Sequence, residues 1–318
     1  MRIKQFYGVL SLVLASSAIA GGARLSYAAA SDNEAFSVVS IAPGVFYHAG
    51  AQAEANKLNH GDIANIGFIV GERCVAVIDT GGSPAVGHAL QKAILGTTAK
   101  PVCYVINTHM HPDHVFGNSA FKRPGTTFVA AEHYSEGLAA RARTYLDRMR
   151  SVLDLPASID WIVMPDETVE ETLELDLGNR KIRLHAWPTS HTNNDLTVFD
   201  EKTGTLWLGD LLFVDRVPAL DGSITGWLGS VERLHDRTDV RYAVPGHGPP
   251  GSDWPRMLDP EIAYLTDIRG GVENALDEGR SLKWAEQHVA LDGREDWLLF
   301  DDYHARNVSG AYTELEWQ

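Results

Sequence analysis

Short uninterrupted apolar runs, each stopped by a cluster of glycine, aspartate or histidine, mark the first half of the chain. Val75-Ala76-Val77-Ile78 is one such run, and four apolar residues in a row fit a strand buried on both faces. It stops at Asp79-Thr80-Gly81-Gly82-Ser83, a turn, and an amphipathic pattern then predicts a helix to about Leu95. Residues 102–106 form the next strand, so this is a strand–helix–strand unit with parallel pairing and a right-handed crossover. Upstream, 38–48 and 66–70 read as strands, and the Gly/Asn/Ala-rich segment 49–64 between them as a loop or hairpin at the mouth of a site. Downstream, a short helix opens within 113–121, a strand spans 127–131 and a long helix runs from Glu132 to about Leu153.

The second half repeats this style. Strands are predicted at 168–175, 181–187, 196–199 and 205–208, a helix near 230–236 and a strand at 242–244. From Pro260 the pattern is mostly helical, at 261–278, 282–287 and 307–316. Strands in both halves with helices between them predict an α/β protein built as an α/β/β/α four-layer sandwich, two sheets face to face with helices outside. No repeat of 20–50 residues and no linker divides it.

Composition narrows the class. An apolar fraction of 44% and a mean hydropathy of −0.15 suit a soluble globular chain of 318 residues with a sizeable core. A formal charge of −15, with no strong Lys/Arg cluster, excludes a nucleic-acid surface. Met1-Arg2-Ile3-Lys4 followed by an apolar stretch from Phe6 to Ala20 is the pattern of a secretory signal peptide. Residues 1–30 are therefore expected to be removed during general (Sec-type) export to the periplasm, leaving 31–318 as one domain with no membrane segment and a C-terminal helical extension. The two cysteines, Cys74 and Cys103, each stand near the start of a strand that leads to a site loop. A disulfide between neighbouring strands and a pair of buried thiols both fit, since such bridges are geometrically awkward but the compartment permits them.

The chemistry concentrates in Thr108-His109-Met110-His111-Pro112-Asp113-His114. Neutral imidazole and carboxylate are ligands that a borderline ion such as zinc prefers. His191, Asp210 and His247 follow apolar runs further on and are expected at strand ends facing the same sheet edge. His109, His111 and His191 then suit one ion, Asp113, His114 and His247 a second, with Asp210 bridging both. Two ions about 3.5–4 Å apart activate a water and stabilise a developing oxyanion. Arg216 and Trp227 flank the segment after Asp210, where they either grip an anionic or aromatic substrate or pack the loop. His60 is a further candidate for the pocket lining. Ser83 reads as a helix cap and Ser190 as a turn residue, so no side-chain nucleophile is needed.

Over residues 38–250 the sequence resembles the metallo-β-lactamase superfamily of binuclear metallohydrolases. The resemblance implies a sandwich fold, two Zn2+ per chain and a bridging hydroxide nucleophile. It matches Asp79 to an aspartate that orients a ligand from behind, 109–114 to the His-x-His-x-Asp-His signature, and His191, Asp210 and His247 to the later ligands. Asp113 and Asp210 carry the catalytic roles, Asp210 orienting the nucleophile and receiving a proton. More narrowly, residues 61–68, 77–83 and 104–109, with Asn307-Val308 and 311–316, look like the quinoprotein relay system zinc metallohydrolases, which are associated with pyrroloquinoline-quinone (PQQ)-dependent dehydrogenases.

The expectation is a periplasmic zinc hydrolase that cleaves an ester, thioester, lactone or related bond in a small molecule, alongside a PQQ-dependent dehydrogenase system. The alternatives are a zinc β-lactamase and a non-catalytic, metal-bearing accessory or carrier protein. A third alternative is an oxidoreductase with iron in place of zinc. His111, where flavin-linked diiron oxidoreductases carry glutamate, disfavours redox iron. Asp210, where most zinc β-lactamases carry another residue, disfavours the lactamase.

Overall fold

A computed structural model describes residues 36–154 and 161–317. The signal-peptide segment 1–30 lies outside them. Among the described residues, twelve strands form two sheets. The first has seven strands in sequence order: β1 (Val39–Ala42), β2 (Val45–His48), β3 (Ile66–Val70), β4 (Val75–Ile78), β5 (Val102–Ile106), β6 (Thr127–Ala131) and β7 (Glu167–Val169). The second has five, ordered β12 (Tyr242–His247), β11 (Thr205–Phe213), β10 (Leu196–Asp200), β9 (Lys181–Ala186) and β8 (Thr172–Asp176). Strands β4 to β7 pair in parallel, as the crossover pattern predicts.

The continuous apolar run of β4 is explained by its two covered faces. Ala76 and Ile78 pack into the layer between the sheets with Ile182, Leu184, Val198 and Trp207. Val75 and Val77 pack outward against Val86, Leu90 and Ile94 of α1 (Pro84–Thr97). On the far side, α4 (Ile224–His235), α5 (Asp259–Asp277), α6 (Leu282–His288) and α7 (Phe300–Leu315) cover the second sheet through Leu206, Leu208, Trp227, Leu265 and Val308. Helix, sheet, sheet, helix is the four-layer α/β sandwich expected.

Several boundaries differ from expectation for local reasons. The run 38–48 is a hairpin, because Pro43-Gly44 makes a turn with Gly44 at φ +73°. The run 168–175 is two strands in different sheets. The exposed pair Glu170-Glu171 is where the chain crosses between the layers. The short helix expected within 113–121 is two pieces, α2 (Pro112–Val115) and a 3-10 turn at Asn118–Phe121. The long helix, α3, spans Tyr134–Leu153. Helices α4 and α7 begin earlier than their apolar patterns indicate. Cys74 and Cys103 are joined as a disulfide with Cα atoms 5.8 Å apart, within the usual reach of such a bridge.

Candidate metal centre

The turn after β5 carries His109 and His111, and the single turn of α2 carries Asp113 and His114. His191 sits in the loop between β9 and β10. His247 stands at a strand end as expected, and Asp210 does not. Asp210 lies inside β11 and His247 is the last residue of β12. A charged residue inside a fully buried strand is tolerated here because the ladder breaks register around Gly209, whose φ is +54°. Gly246 is required beside it, since a Cβ there would stand 1.9 Å from Asp210 Oδ1.

The predicted ligands meet at one place. His109, His111, His191 and Asp210 form one group and Asp113, His114 and His247 another, with the ligand atoms of each within 4.8 Å of one another. The Asp210 carboxylate stands between the two. Its Oδ2 is 3.4 Å from both His191 Nε2 and His247 Nε2 and 3.7 Å from His109 Nε2, and its Oδ1 is 3.1 Å from His114 Nε2. Asp113 Oδ2 lies 3.3 Å from His247 Nε2.

The outer nitrogens are each engaged. Asp79 Oδ2 accepts from His114 Nδ1 at 2.8 Å and from Thr108 Oγ1 at 2.7 Å, while its Oδ1 accepts from the Thr108 amide at 2.8 Å. Ala219 O accepts from His191 Nδ1 at 2.5 Å, and Ile63 O from His247 Nδ1 at 2.8 Å. Such partners fix the tautomer that leaves the inner nitrogen as a lone pair.

The donor set fits a metal by its own chemistry. His109 Nε2, His114 Nε2 and Asp210 Oδ1 are buried with no hydrogen-bond partner, an arrangement that costs free energy unless a ligand completes it. Burial pushes His109 well below its ordinary value, with His114 adding to it, and pushes His191 down to about 3. Both are therefore neutral, the form that ligates. Against the opposing effect of burial, Asp210, Asp79 and Asp113 hold His114 well above its ordinary value. Likewise against burial, His247, His114 and His109 hold Asp210 well below the carboxylate range.

The candidate substrate residues divide. Arg216 is buried in the cleft wall, with Nη1 3.1 Å from His247 Nδ1. Trp227 is not in the cleft. It is fully buried on α4, its ring centroid 5.2 Å from that of His191 and 6.0 Å from that of Phe213, so it packs behind a ligand. His60 is exposed and outside the cleft lining, in a turn at φ +53°. The cleft has a volume of about 430 Å³, a size that suits a small molecule.

Three features escaped sequence reasoning. Asp221 accepts from His111 Nε2 at 2.9 Å and pairs with Arg141 at 3.1 Å. Asn307 on α7 accepts from the Leu220 amide at 2.9 Å and donates to Pro218 O at 2.6 Å, gripping the loop that presents Ala219 O to His191. Glu54 and Tyr303 meet across the cleft mouth. Asp221, Glu54 and Tyr303 carry no local motif, and the resemblance at Asn307-Val308 assigns Asn307 no role.

In comparisons with known proteins, the family model described as the metallo-beta-lactamase superfamily matches residues 61–253, more than half of the chain. No curated protein sequence matches significantly. Among solved structures, a metallo-beta-lactamase from Pontibacter korlensis is 20% identical with a TM-score of 0.59, over 73% of this chain and 99% of that one. The stereoselective inverting sec-alkylsulfatase Pisa1 from Pseudomonas sp. is 15% identical with a TM-score of 0.69, over 87% of this chain and 50% of that one. A double mutant of the sec-alkyl sulfatase PisA1 gives 16% and 0.68, over 88% and 50%. The chain thus spans about half the length of the sulfatases, and at these identities the likeness concerns the fold. With the family model matched across the ligand-bearing segments and both sheets arranged as its structural neighbours arrange theirs, the chain belongs to the metallo-beta-lactamase superfamily.

Proposed function

We propose that the protein is a periplasmic binuclear zinc hydrolase that cleaves an ester, thioester, lactone or related bond in a small molecule, associated with a PQQ-dependent dehydrogenase system. The observation that carries the reading is the Asp210 carboxylate, whose two oxygens face both ligand groups at once. A protein that only bound metal would have no need of such a bridge.

Two zinc ions in these groups would supply Lewis acidity and a water acidic enough to act near neutral pH. His109, His111 and His191 would hold one and Asp113, His114 and His247 the other, with Asp210 shared. The residues around them do the positioning. Asp79 fixes the His114 tautomer, Ala219 O that of His191 and Ile63 O that of His247. Phe213, Met149, Val152 and Leu220 line the cleft and limit water beside the reacting group. The two cysteines are bonded to each other, so neither is a free nucleophile. That disulfide also favours an oxidising compartment, and the basic-then-apolar start of the chain favours export. The quinoprotein association rests on the sequence resemblance at 61–68, 77–83 and 104–109.

The test is metal analysis of the purified protein with a panel of ester, thioester, lactone, phosphodiester and cephalosporin reporters. Two zinc per chain, with chelator-sensitive turnover of an ester, thioester or lactone, supports the proposal. Turnover of the cephalosporin alone would make the protein a β-lactamase. Bound zinc without turnover of any reporter would make it a carrier.

A further inference from the structure

We infer that the substrate carries a carboxylate, and that Glu54 occupies the seat of that carboxylate until the substrate displaces it. The inference rests on the hydrolase reading above and narrows its substrate class.

Arg216 is the anchor. Its side chain is only 3% exposed, yet the one carboxylate that pairs with it among the described residues is Glu54, with Oε1 3.6 Å from Nη2. Its Nε is buried without a partner. Its Nη1 faces His247 Nδ1 at 3.1 Å, but Ile63 O lies 2.8 Å from that same nitrogen and can only accept from it. A donating Nδ1 cannot also accept, so Nη1 gains nothing there. Two of the guanidinium nitrogens thus lack an acceptor among the described residues, an arrangement that is costly for a buried cation.

Glu54 draws three groups together from separate parts of the fold. Its Oε1 accepts from Tyr303 Oη on α7, which in turn accepts from Arg216 Nη2 at 2.9 Å. Its Oε2 lies 3.5 Å from Arg148 Nη2 on α3. Burial above all, with Glu54 adding and Arg216 opposing, raises the Tyr303 phenol, so it stays a donor. Arg306 lines the same cleft with its guanidinium 5.7 Å from the Tyr303 ring centroid. With Glu54 swung aside, Arg148, Arg216, Arg306 and the Tyr303 hydroxyl would be left facing the cleft without the carboxylate that now pairs with all of them but Arg306. That donor set is made for a carboxylate. Arg141, the fourth arginine of the cleft, is already taken by Asp221.

The side chain can leave without the loop. Asn59 Nδ2 donates to Glu54 O at 2.9 Å, Asp62 N to Asn59 O at 2.8 Å and Ala51 N to Asp62 O at 2.9 Å, which pins the backbone. The Glu54 side chain itself is 39% exposed and only weakly paired to the two guanidiniums. Arg216 stands next to His247, so a carboxylate seated there would leave the rest of a short substrate over Asp113 and Asp210, which line the same cleft.

The experiment uses the zinc-loaded protein, with glutarate and dimethyl glutarate as calorimetric probes. 4-Nitrophenyl acetate and mono-4-nitrophenyl glutarate serve as a neutral and an anionic ester. In Glu54→Gln, glutarate is expected to bind about tenfold tighter, the scale of one charge-assisted hydrogen bond. KM for the anionic ester should fall by a similar factor at unchanged kcat, and the neutral probes should not respond. The double variant Arg148→Gln/Arg306→Gln should weaken glutarate without touching the neutral probes. Equal glutarate affinity in wild type and Glu54→Gln would overturn the inference. So would glutarate binding undiminished in the double variant, since two of the three guanidiniums of the seat would then contribute nothing, or sulfate that binds more tightly than glutarate. Calorimetry needs no turnover, so a Glu54-dependent glutarate site without hydrolysis of either ester refutes the hydrolase reading alone. Hydrolysis of both esters with no response to Glu54→Gln refutes the carboxylate seat alone.

Discussion

Asp221 accepts a hydrogen bond from Nε2 of His111 at 2.9 Å, across 110 positions of sequence. His111 Nδ1 then faces inward, 3.0 Å from His191 Nε2. Burial opposes ionisation of Asp221, but His111 and Arg141 hold its carboxyl below the ordinary range, so it is an anion that raises the basicity of the ring it orients. Asp221→Asn should weaken metal binding by about 10- to 100-fold while leaving every proposed ligand in place. Competition for zinc with a chromophoric chelator measures this. Unchanged affinity would remove Asp221 from the account.

Asp79 combines a backbone demand with a side-chain one. Its φ of +52° is a conformation that asparagine tolerates and alanine resists, and its carboxylate satisfies Thr108 twice and His114 once. Asp79→Ala is expected to cost about 3–5 kcal/mol of stability, because it leaves buried donors unpaired as well as straining the turn. Asp79→Asn keeps the turn and one acceptor, so its melting temperature should fall much less, although both variants bind metal more weakly. Equal losses of Tm would show that the backbone conformation contributes nothing.

Trp227 separates packing from recognition. Fully buried against His191 and Phe213, it should lose about 3–5 kcal/mol of stability on truncation to alanine, the range for a large aromatic removed from a core. Trp227→Phe, which keeps most of the packing, should leave KM for any substrate unchanged. A rise in KM with the Phe variant at unaltered stability would return Trp227 to the substrate site.

These residues show what a sequence makes legible. The ligands stand out because a metal site compresses its chemistry into short stretches, with His109 to His114 in one turn and the others each closing an apolar run. The layer order is legible from runs such as Val75–Ile78, whose double burial needs cover on both faces. Asp221, Glu54 and Tyr303 are ordinary polar residues until tertiary packing sets them beside His111 and Arg216. Tyr303 and Glu54 are 249 positions apart. Trp227 takes the packing alternative and His60 lies outside the cleft, because proximity in sequence to a site loop is not proximity to the cleft. The interior position of Asp210 in β11 was hidden because a buried acid ends an apolar run in the same way as a turn does.

Asn307 ties the C-terminal helix to the site. It satisfies the Leu220 amide and the Pro218 carbonyl, on either side of Ala219, whose own carbonyl holds His191. Asn307→Ala should cost about 1–3 kcal/mol for each buried group left unpaired. It should also speed zinc loss, because the His191 clamp loosens. Denaturant melts and chelator-induced zinc release rates check the two effects. A stability loss with zinc release unchanged would confine Asn307 to packing.

Glu261 provides a pH test at a buried carboxyl that is not itself a proposed ligand. It is fully buried in the first turn of α5, where one oxygen accepts from the Phe213 amide at 3.1 Å and the other has no partner. Burial, with the Asp210 charge adding, raises its carboxyl well above the ordinary value of 4.5, against the Phe213 hydrogen bond. An acid with a raised folded-state pKa favours folding while protonated. Its stabilising contribution is therefore complete below the unfolded value and is lost as pH rises towards the folded one. Glu261→Gln has the same shape and no proton to lose. Wild type and variant should have similar stability near pH 4.5, and the variant should become the more stable as pH increases, by at most about 1.4 kcal/mol per pH unit. Denaturant melts at pH 5, 6.5 and 8 read the difference directly. A constant gap between the two proteins across that range would mean that Glu261 is ionised in the folded state throughout, and that its unpaired oxygen is satisfied by some other group.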